Sequence, residues 1–351
     1  MVKRLNINKK RFWAGVLLAQ FLLFYTLSKI GFAVSLFEKF FEFQKETHTK
    51  IFSKFPFSIG DIIYVSLILY LVFKIVQIFN KNKRNKAILK ILIVLNIFYF
   101  FYQIFWGMLY FKTPIQQKLG EYEPTTNDLK KLSIVYLEKA INTRKLVEEN
   151  NDGTFKITNF SAIEKEILLQ QQFLPLDLID KRAIKVISIK ESLFGQSMNY
   201  SGILGYFNPF TAEAQYNANL PQTYIPFTTA HESAHQLGYA KEQEANFLAY
   251  LIGKNSKNIE LQHSTNYYVL RSLLNALHER EPAFVEQMLN QYSDGMKRDR
   301  KSELIFRKQH EGLVDDFFGF TNDLFLKTNQ QEGSVTYSYF IQLLSQYELK
   351  K

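Results

Sequence analysis

Residues 231–246 read HESAHQLGYAKEQEAN. The stretch opens on an H-E-x-x-H motif, His231-Glu232-Ser233-Ala234-His235. In an α-helix, residues i and i+4 lie one above the other on the same face, so the two imidazoles can share one metal ion. Glu232 directly follows the first histidine, which lets it reach a water beside the metal rather than the metal itself. Zinc lowers the pKa of such a water towards neutrality, and a nearby carboxylate can take its proton as the water attacks a carbonyl. The motif therefore predicts Zn2+ as cofactor, peptide hydrolysis as the chemistry, and Glu232 as the catalytic base.

A catalytic zinc has three protein ligands and keeps a further position for water. Glu242 and Glu244 are the nearby carboxylates. Gly238 marks the expected end of the motif helix, because glycine takes the left-handed C-cap conformation at no Cβ penalty. A second helix is expected from about Lys241 to Ile252. On it, residues two positions apart point roughly 160–200° away from each other, so Glu242 and Glu244 do not both bind one ion. We favour Glu242 and keep Glu244 as the alternative ligand. Asn246 is four residues beyond Glu242, where it can hydrogen-bond a ligand side chain from behind.

The motif followed by Glu242, Ala245 and Asn246, an E-x-x-A-[DN] pattern, resembles the gluzincin metallopeptidases. That resemblance implies His231, His235 and Glu242 as ligands, Glu232 as general base, and Asn246 as support for a histidine. The chain departs from the group in its short gap between His235 and Glu242 and in having Asn for the more usual Asp. Gly238 also fits the metzincin pattern H-E-x-x-H-x-x-G-x-x-H, but Lys241 stands at the third-ligand position and excludes it. Two further segments, Phe55 to Asp61 (FPFSIGD) and Pro209 to Ala214 (PFTAEA), complete a wider likeness. With them the chain resembles an uncharacterised bacterial family of membrane-anchored, zinc-peptidase-like proteins, which implies an architecture but no substrate.

The 351 residues are 47% hydrophobic, yet mean hydropathy is −0.14, so membrane content must be concentrated. Three apolar segments stand out, at about 13–34, 59–79 and 87–111. Each is close to the ~20 residues that cross a hydrocarbon core of ~30 Å. Residues 1–111 thus read as a membrane region with three transmembrane helices, and 112–351 as an extracytoplasmic domain. Lys3, Arg4, Lys9, Lys10 and Arg11 precede the first segment, and Lys81, Lys83, Arg84 and Lys86 separate the second from the third. Basic loops stay in the cytoplasm. The N-terminus and the 80–86 loop are therefore expected inside, and the 38–58 loop and everything after about Lys112 outside. In a double-membrane bacterium that is the inner membrane with a periplasmic domain. No small-x-small site follows the first segment, so it reads as an uncleaved anchor. The 38–58 loop carries Phe40, Phe41 and Phe43 among charges, as suits a helix on the outer membrane surface or one packed between spans.

The exterior domain reads as mainly helical. Helices are expected at about 127–149, 158–172, 259–279, 282–296, 313–328 and 337–347, with a strand at 184–189. The zincin resemblance implies that residues around Phe210 to Asn219 are an edge strand able to pair with an extended substrate, the alternative being an ordinary connecting hairpin. Oxyanion donors are available in Tyr239, His263, Tyr337 and Tyr339, none singled out by its surroundings. Asp61 at the start of a span reads as a helix N-cap beside Ser58 rather than a functional intramembrane acid, and His48, His278 and His310 lack metal spacing. The net charge of +10 comes partly from the topogenic loops, and no basic stripe with interleaved aromatics predicts nucleic-acid binding. The absence of cysteine fits an exported domain without disulfides.

The expected fold is a multi-span α-helical membrane anchor followed by a mainly α (α+β) zincin-like metallopeptidase domain. Its partners are the lipid bilayer and a peptide or protein substrate. The motif lies well over a hundred residues past the last span, so hydrolysis is expected in water above the membrane. Two rivals are a membrane-anchored zinc-binding sensor or scaffold without turnover, and a transporter whose spans do the work.

Overall fold

Four helices open the chain: α1 (Lys10–Leu27), α2 (Gly31–Phe52), α3 (Ile59–Ile78) and α4 (Arg84–Phe105). The structure, a computed structural model, describes residues 9–120, 122–312 and 336–349, without the side chains of 336–338. Helices α3 and α4 are long and apolar enough to cross a membrane, and they mark the chain as membrane-associated. The first apolar segment, expected to run straight over 13–34, does not. It breaks after Leu27, and α2 departs from α1 at 102°. At the break the amides of Lys29 and Ile30 fall back to the carbonyls of Thr26 and Leu27, and Ser28 Oγ donates to the Tyr25 carbonyl. Beyond it the charges from Glu38 onwards cannot continue into hydrocarbon. The third segment also stops early, as α4 gives way to a 3₁₀ turn at Gly107–Phe111.

Helix α1 runs alongside α4 in the same direction. Lys10 Nζ donates to Asn85 Oδ1 at 3.3 Å, Asn96 Nδ2 donates to the Trp13 carbonyl at 3.0 Å, and Phe24 meets Tyr99 and Phe100 with centroids 6.1 and 6.0 Å away. The short α3–α4 connection makes those two helices antiparallel. Lys9, Lys10 and Arg11 at the start of α1 and the basic residues of the 80–86 turn therefore share one end of the bundle.

At the other end the chain enters the second region through α5 (Gln116–Leu119), α6 (Thr126–Arg144) and α7 (Phe160–Gln171). Next come β1 (Ile189–Glu191), α8 (Gly195–Asn199), β2 (Gly205–Asn208) and β3 (Glu213–Tyr216). Helices α9 (Ile225–Leu237), α10 (Glu242–Lys254), α11 (Ile259–Leu277), α12 (Pro282–Asn290), α13 (Asp294–His310) and α14 (Thr336–Leu349) complete it. The main core joins Ala230, Ala234 and Leu237 of α9 to Phe247 through Ile252 of α10 and to Leu261, Leu270 and Leu273 of α11. Helix α9 is nearly all buried although it is rich in polar residues, and several of those side chains find partners. Thr229 Oγ1 donates to the Ile225 carbonyl, Ser233 Oγ to that of Ala230, and Gln236 Nε2 to those of Ser188 and Ala212.

The sheet has the order β1-β3-β2, with β1 parallel and β2 antiparallel to β3. Two expectations fail here. The strand anticipated at 184–189 begins only at Ile189, since Ile184 goes into the helical core instead of pairing. The 210–219 segment supplies β3, the central strand, so the edges of the sheet are β1 and β2, and β2 is the edge that passes Glu232. The helix expected over 282–296 also splits. It ends at Asn290, and the Ser293 hydroxyl, accepting from the Met296 amide, caps α13. Helix α13 is so charged that it shows no apolar stripe. The helix anticipated at 313–328 lies outside the described residues.

The two segments that carried the wider family likeness meet in space. Glu213 on β3 accepts from the amides of Ile59 and Gly60 at 3.1 and 2.6 Å and pairs with Lys190. Lys190 Nζ also donates to the Phe52 and Phe57 carbonyls at 2.7 and 2.9 Å. A Cβ on Gly60 would lie 2.3 Å from Asn208 Nδ2, so the Asn208 side chain packs on the start of α3 only because residue 60 is glycine. Ser58 caps α3 by accepting from the Asp61 amide. Asp61 itself does not cap but accepts from Leu193 N at 2.7 Å, Ser192 Oγ at 3.2 Å and the Tyr206 hydroxyl. The N-terminus of a membrane helix is thus bolted to the sheet.

Candidate metal centre

Helix α9 carries His231, Glu232 and His235, and ends at Gly238 in the left-handed region with φ 101°. A Cβ there would meet Phe41 of α2 at 2.8 Å, so both conformation and packing demand glycine. Helix α10 begins at Glu242, as expected, and brings that carboxylate back over the two histidines. His231 Nε2 lies 3.2 Å from His235 Nε2 and 3.1 Å from Glu242 Oε2, and His235 Nε2 lies 3.6 Å from Glu242 Oε1. Four-coordinate zinc with bonds of ~2.0–2.1 Å has ligand–ligand edges of about 3.3–3.4 Å. The triangle has the right size to hold one such ion.

The other ring nitrogens face acceptors. His235 Nδ1 lies 2.6 Å from the Tyr239 carbonyl, which can only accept, and His231 Nδ1 lies 2.8 Å from Asn246 Oδ1. Nδ1 donation leaves both Nε2 lone pairs facing each other and a carboxylate, an arrangement that calls for a cation between them. With protons as the only cations, His231 takes that role. Burial disfavours its charge, but the hydrogen bond and charge of Glu242 outweigh it and raise the group to about 9. Burial instead lowers His235 to about 4, against the pull of Glu242. Burial works to raise Glu242 as well, but His235 and His231 hold it down at about 2. Glu232 is buried behind this group, and burial pushes it up to about 8, aided by Glu242 and opposed by His231. Its Oε2 has no hydrogen-bond partner among the described residues. Its Oε1 lies where a Cβ on Gly205 of the edge strand would come within 2.6 Å.

Of the predicted site residues, the structure gathers His231, Glu232, His235, Glu242 and Asn246. It removes Glu244, the alternative ligand, because that buried side chain points the other way and accepts from the Ile115 amide at 2.8 Å. Helical spacing puts positions 242 and 244 on opposite faces. Two of the oxyanion candidates are engaged elsewhere. Tyr239 donates to Asp180 Oδ1 at 3.2 Å under the Lys112 ammonium, and His263 pairs with Thr143 and stacks on Tyr267. The Tyr337 side chain lies outside the description.

Sequence reading missed the membrane-side wall of the site. Trp106, the residue after α4, sets its ring edge-on to His235 with centroids 5.7 Å apart. It also packs on Phe41 and Phe207 at 5.9 and 4.5 Å. Phe41, Trp106, Leu109, Tyr110 and Ala240 form one buried cluster across the expected 111/112 boundary. Lys45 of α2 reaches the Leu237 carbonyl at the end of α9 at 3.4 Å. The cluster thus sits beside the C-terminal end of α4, although the motif lies well over a hundred residues past that helix in the chain. A tryptophan at the end of an apolar run was the visible signal.

Fold and site together define a mainly helical, membrane-associated protein whose membrane helices abut a two-histidine, one-glutamate cluster. The model of the family described as "Protein of unknown function (DUF3810)" matches residues 37–345, from within α2 into α14, and the chain belongs to that family. No curated protein and no solved structure matches the chain.

Proposed function

We propose that the protein is a membrane-anchored zinc metallopeptidase. Its ligands are His231, His235 and Glu242, which form the only cluster of three or more His, Asp or Glu donors suited to a metal among the described residues. Bound there, zinc would supply Lewis acidity to a carbonyl and acidity to a water. Glu232 takes the proton from the attacking water and returns it to the leaving amine. Asn246 and the Tyr239 carbonyl hold the imidazoles so that both Nε2 atoms face inward. The carrying observation is Glu232, a buried carboxylate beside the ligands with an unpartnered oxygen. A zinc site that served only as a sensor or scaffold would give that oxygen no task. The shared end of Lys9, Lys10 and Arg11 and the basic residues of the 80–86 turn supports a cytoplasmic N-terminus with the metal centre on the outer face. On this reading α1, α3 and α4 cross the membrane.

The test is metal content and turnover of the full chain in mild detergent. Wild type and Glu232→Gln should each hold about one zinc, and His235→Ala should lose it. Only wild type should cleave an unstructured peptide mixture. Equal zinc in wild type and His235→Ala would overturn the site.

A further inference from the structure

Resting on the peptidase reading, we infer that the substrates are extended protein segments just where they leave the bilayer, because α2 holds the metal centre on the membrane surface.

Helix α2 is the key element. It turns 102° from α1, which itself lies along α4, so α2 runs nearly at right angles to the bundle axis and parallel to a bilayer surface. Its two faces have different neighbours. Phe32, Leu36, Phe40 and Phe43 recur at helical spacing and are 73, 49, 40 and 80% exposed. Phe40 stacks on Phe105 of α4 at 6.2 Å while Phe32, Leu36 and Phe43 stay exposed, and a row of large apolar side chains on an exposed helix face matches the acyl–headgroup boundary. Lys39 and Lys50 flank it with stems long enough to reach headgroups. About 180° round the helix, Val34, Phe41, Lys45 and Thr49 are buried. Of these, Phe41 touches Gly238 and Trp106, and Lys45 holds the end of α9. One helix diameter, about 10 Å, thus separates lipid from the motif helix.

The free strand is at the same level. Edge strand β2 pairs only with β3 among the described residues, and it passes Glu232 at Gly205. In the turn after it, Phe210 packs on Phe98 at 4.6 Å and on Phe105 at 6.5 Å, the last two turns of α4. An edge strand offers unpaired backbone groups to an extended chain. A segment laid along β2 would therefore lie at the bilayer border. An extended chain advances about 3.3 Å per residue, so ~10 Å spans roughly three residues. Cleavage should fall within the first ~8 residues beyond a span, allowing for the residues that occupy the strand on either side of the scissile bond.

The experiment uses the full chain in phosphatidylcholine–phosphatidylglycerol vesicles. The probe is a single-span reporter with an unstructured forty-residue exterior tail, compared with the same tail as a free peptide. Cuts mapped by mass spectrometry should cluster in the first ~8 residues, at rates at least tenfold above those on the free peptide. Cuts spread evenly along the tail, or equal rates on the two forms, would overturn the inference and leave the peptidase reading standing. No cut in either form that Glu232→Gln abolishes, from zinc-loaded protein, would overturn both. The geometry has its own readout, because the chain contains no cysteine. A fluorophore on Phe43→Cys should be quenched by shallow doxyl lipids, and one on Leu146→Cys should not. Equal quenching at the two positions would overturn the platform role of α2.

Discussion

Replacing Asn246 with alanine should weaken zinc binding without unfolding the protein. Asn246 Oδ1 lies 2.8 Å from His231 Nδ1, the one hydrogen bond that fixes this imidazole from behind. Its loss has two effects. A largely buried N–H donor is left unpaired, which costs about 1–3 kcal/mol. The ring is also freed to place its proton on Nε2, the atom that must bind metal. Loss of such supporting partners typically costs 10–100-fold in metal affinity, about 1.4–2.7 kcal/mol, so both routes give the same range. Asn246→Asp keeps an acceptor and adds charge that makes the imidazole a stronger donor, and it should bind zinc as tightly as wild type or more so. The assay is competition for zinc against a chromophoric chelator with the full chain in detergent, and metal-free thermal unfolding monitors the fold. An alanine variant within twofold of wild type would refute the orienting role. So would an aspartate variant as weak as the alanine one.

Glu244→Ala should leave zinc affinity unchanged but lower thermal stability by about 1–3 kcal/mol, because Glu244 accepts from the buried Ile115 amide rather than facing the metal and its removal leaves that amide unpaired. Gly205→Ala would place a Cβ 2.6 Å from Glu232 Oε1 and 2.7 Å from the Gln215 carbonyl. Overpacking of this kind costs about 1–3 kcal/mol, so kcat/KM on a peptide should fall about 5–150-fold with zinc content intact. Burial and the charge of Arg144 lower His263 from 6.5 to about 3. The unfolded chain therefore binds its proton first between those pH values, and stability falls as pH drops from 6.5 towards 3, by up to ~4 kcal/mol. Denaturation midpoints of His263→Gln should lose that part of the slope. A fragment beginning at residue 113 should bind zinc at least tenfold more weakly than the full chain or fail to fold. It lacks Phe41, Lys45 and Trp106, which close the site, and Ile59 and Gly60, which satisfy Glu213.

The local features of the site were legible because each rests on spacing within one or two helices. His231 and His235 had to share a face, Gly238 had to end the helix, and Glu242 had to oppose Glu244. Helix α11 and the paired spans α3 and α4 were legible for the same reason, their apolar periodicity or continuity. The bend at residues 28–30 was not, because apolar residues continue through it and hydropathy does not register a change of direction. Helix α13 escaped because a stretch reading DGMKRDRKSELIFRKQH is held by its Ser293 cap and by single contacts such as Asp299 with Arg144 rather than by an apolar stripe. The sheet was misassigned because β1 and β3 are three and four residues long, and pairing order is a tertiary property.

The position of the site is the deepest of these gaps, and its cause is physical. Sequence separation set the motif apart from the last span, yet α4 ends one residue before Trp106, whose ring rests on His235. What closes the distance is the return of the chain through β2 and β3. Their short turn places Phe210 on α4, while Glu213 takes the first amides of α3. Those contacts join the two segments that flagged the family, FPFSIGD and PFTAEA, and neither segment holds a metal ligand. Their task is to fix the sheet, and with it the edge beside Glu232, at a set height on the membrane helices. A free-standing peptidase domain would need no such junction. A buried Lys190–Glu213 pair spanning it, which costs desolvation unless well satisfied, is understandable if the spatial relation of strand to bilayer is itself required for function.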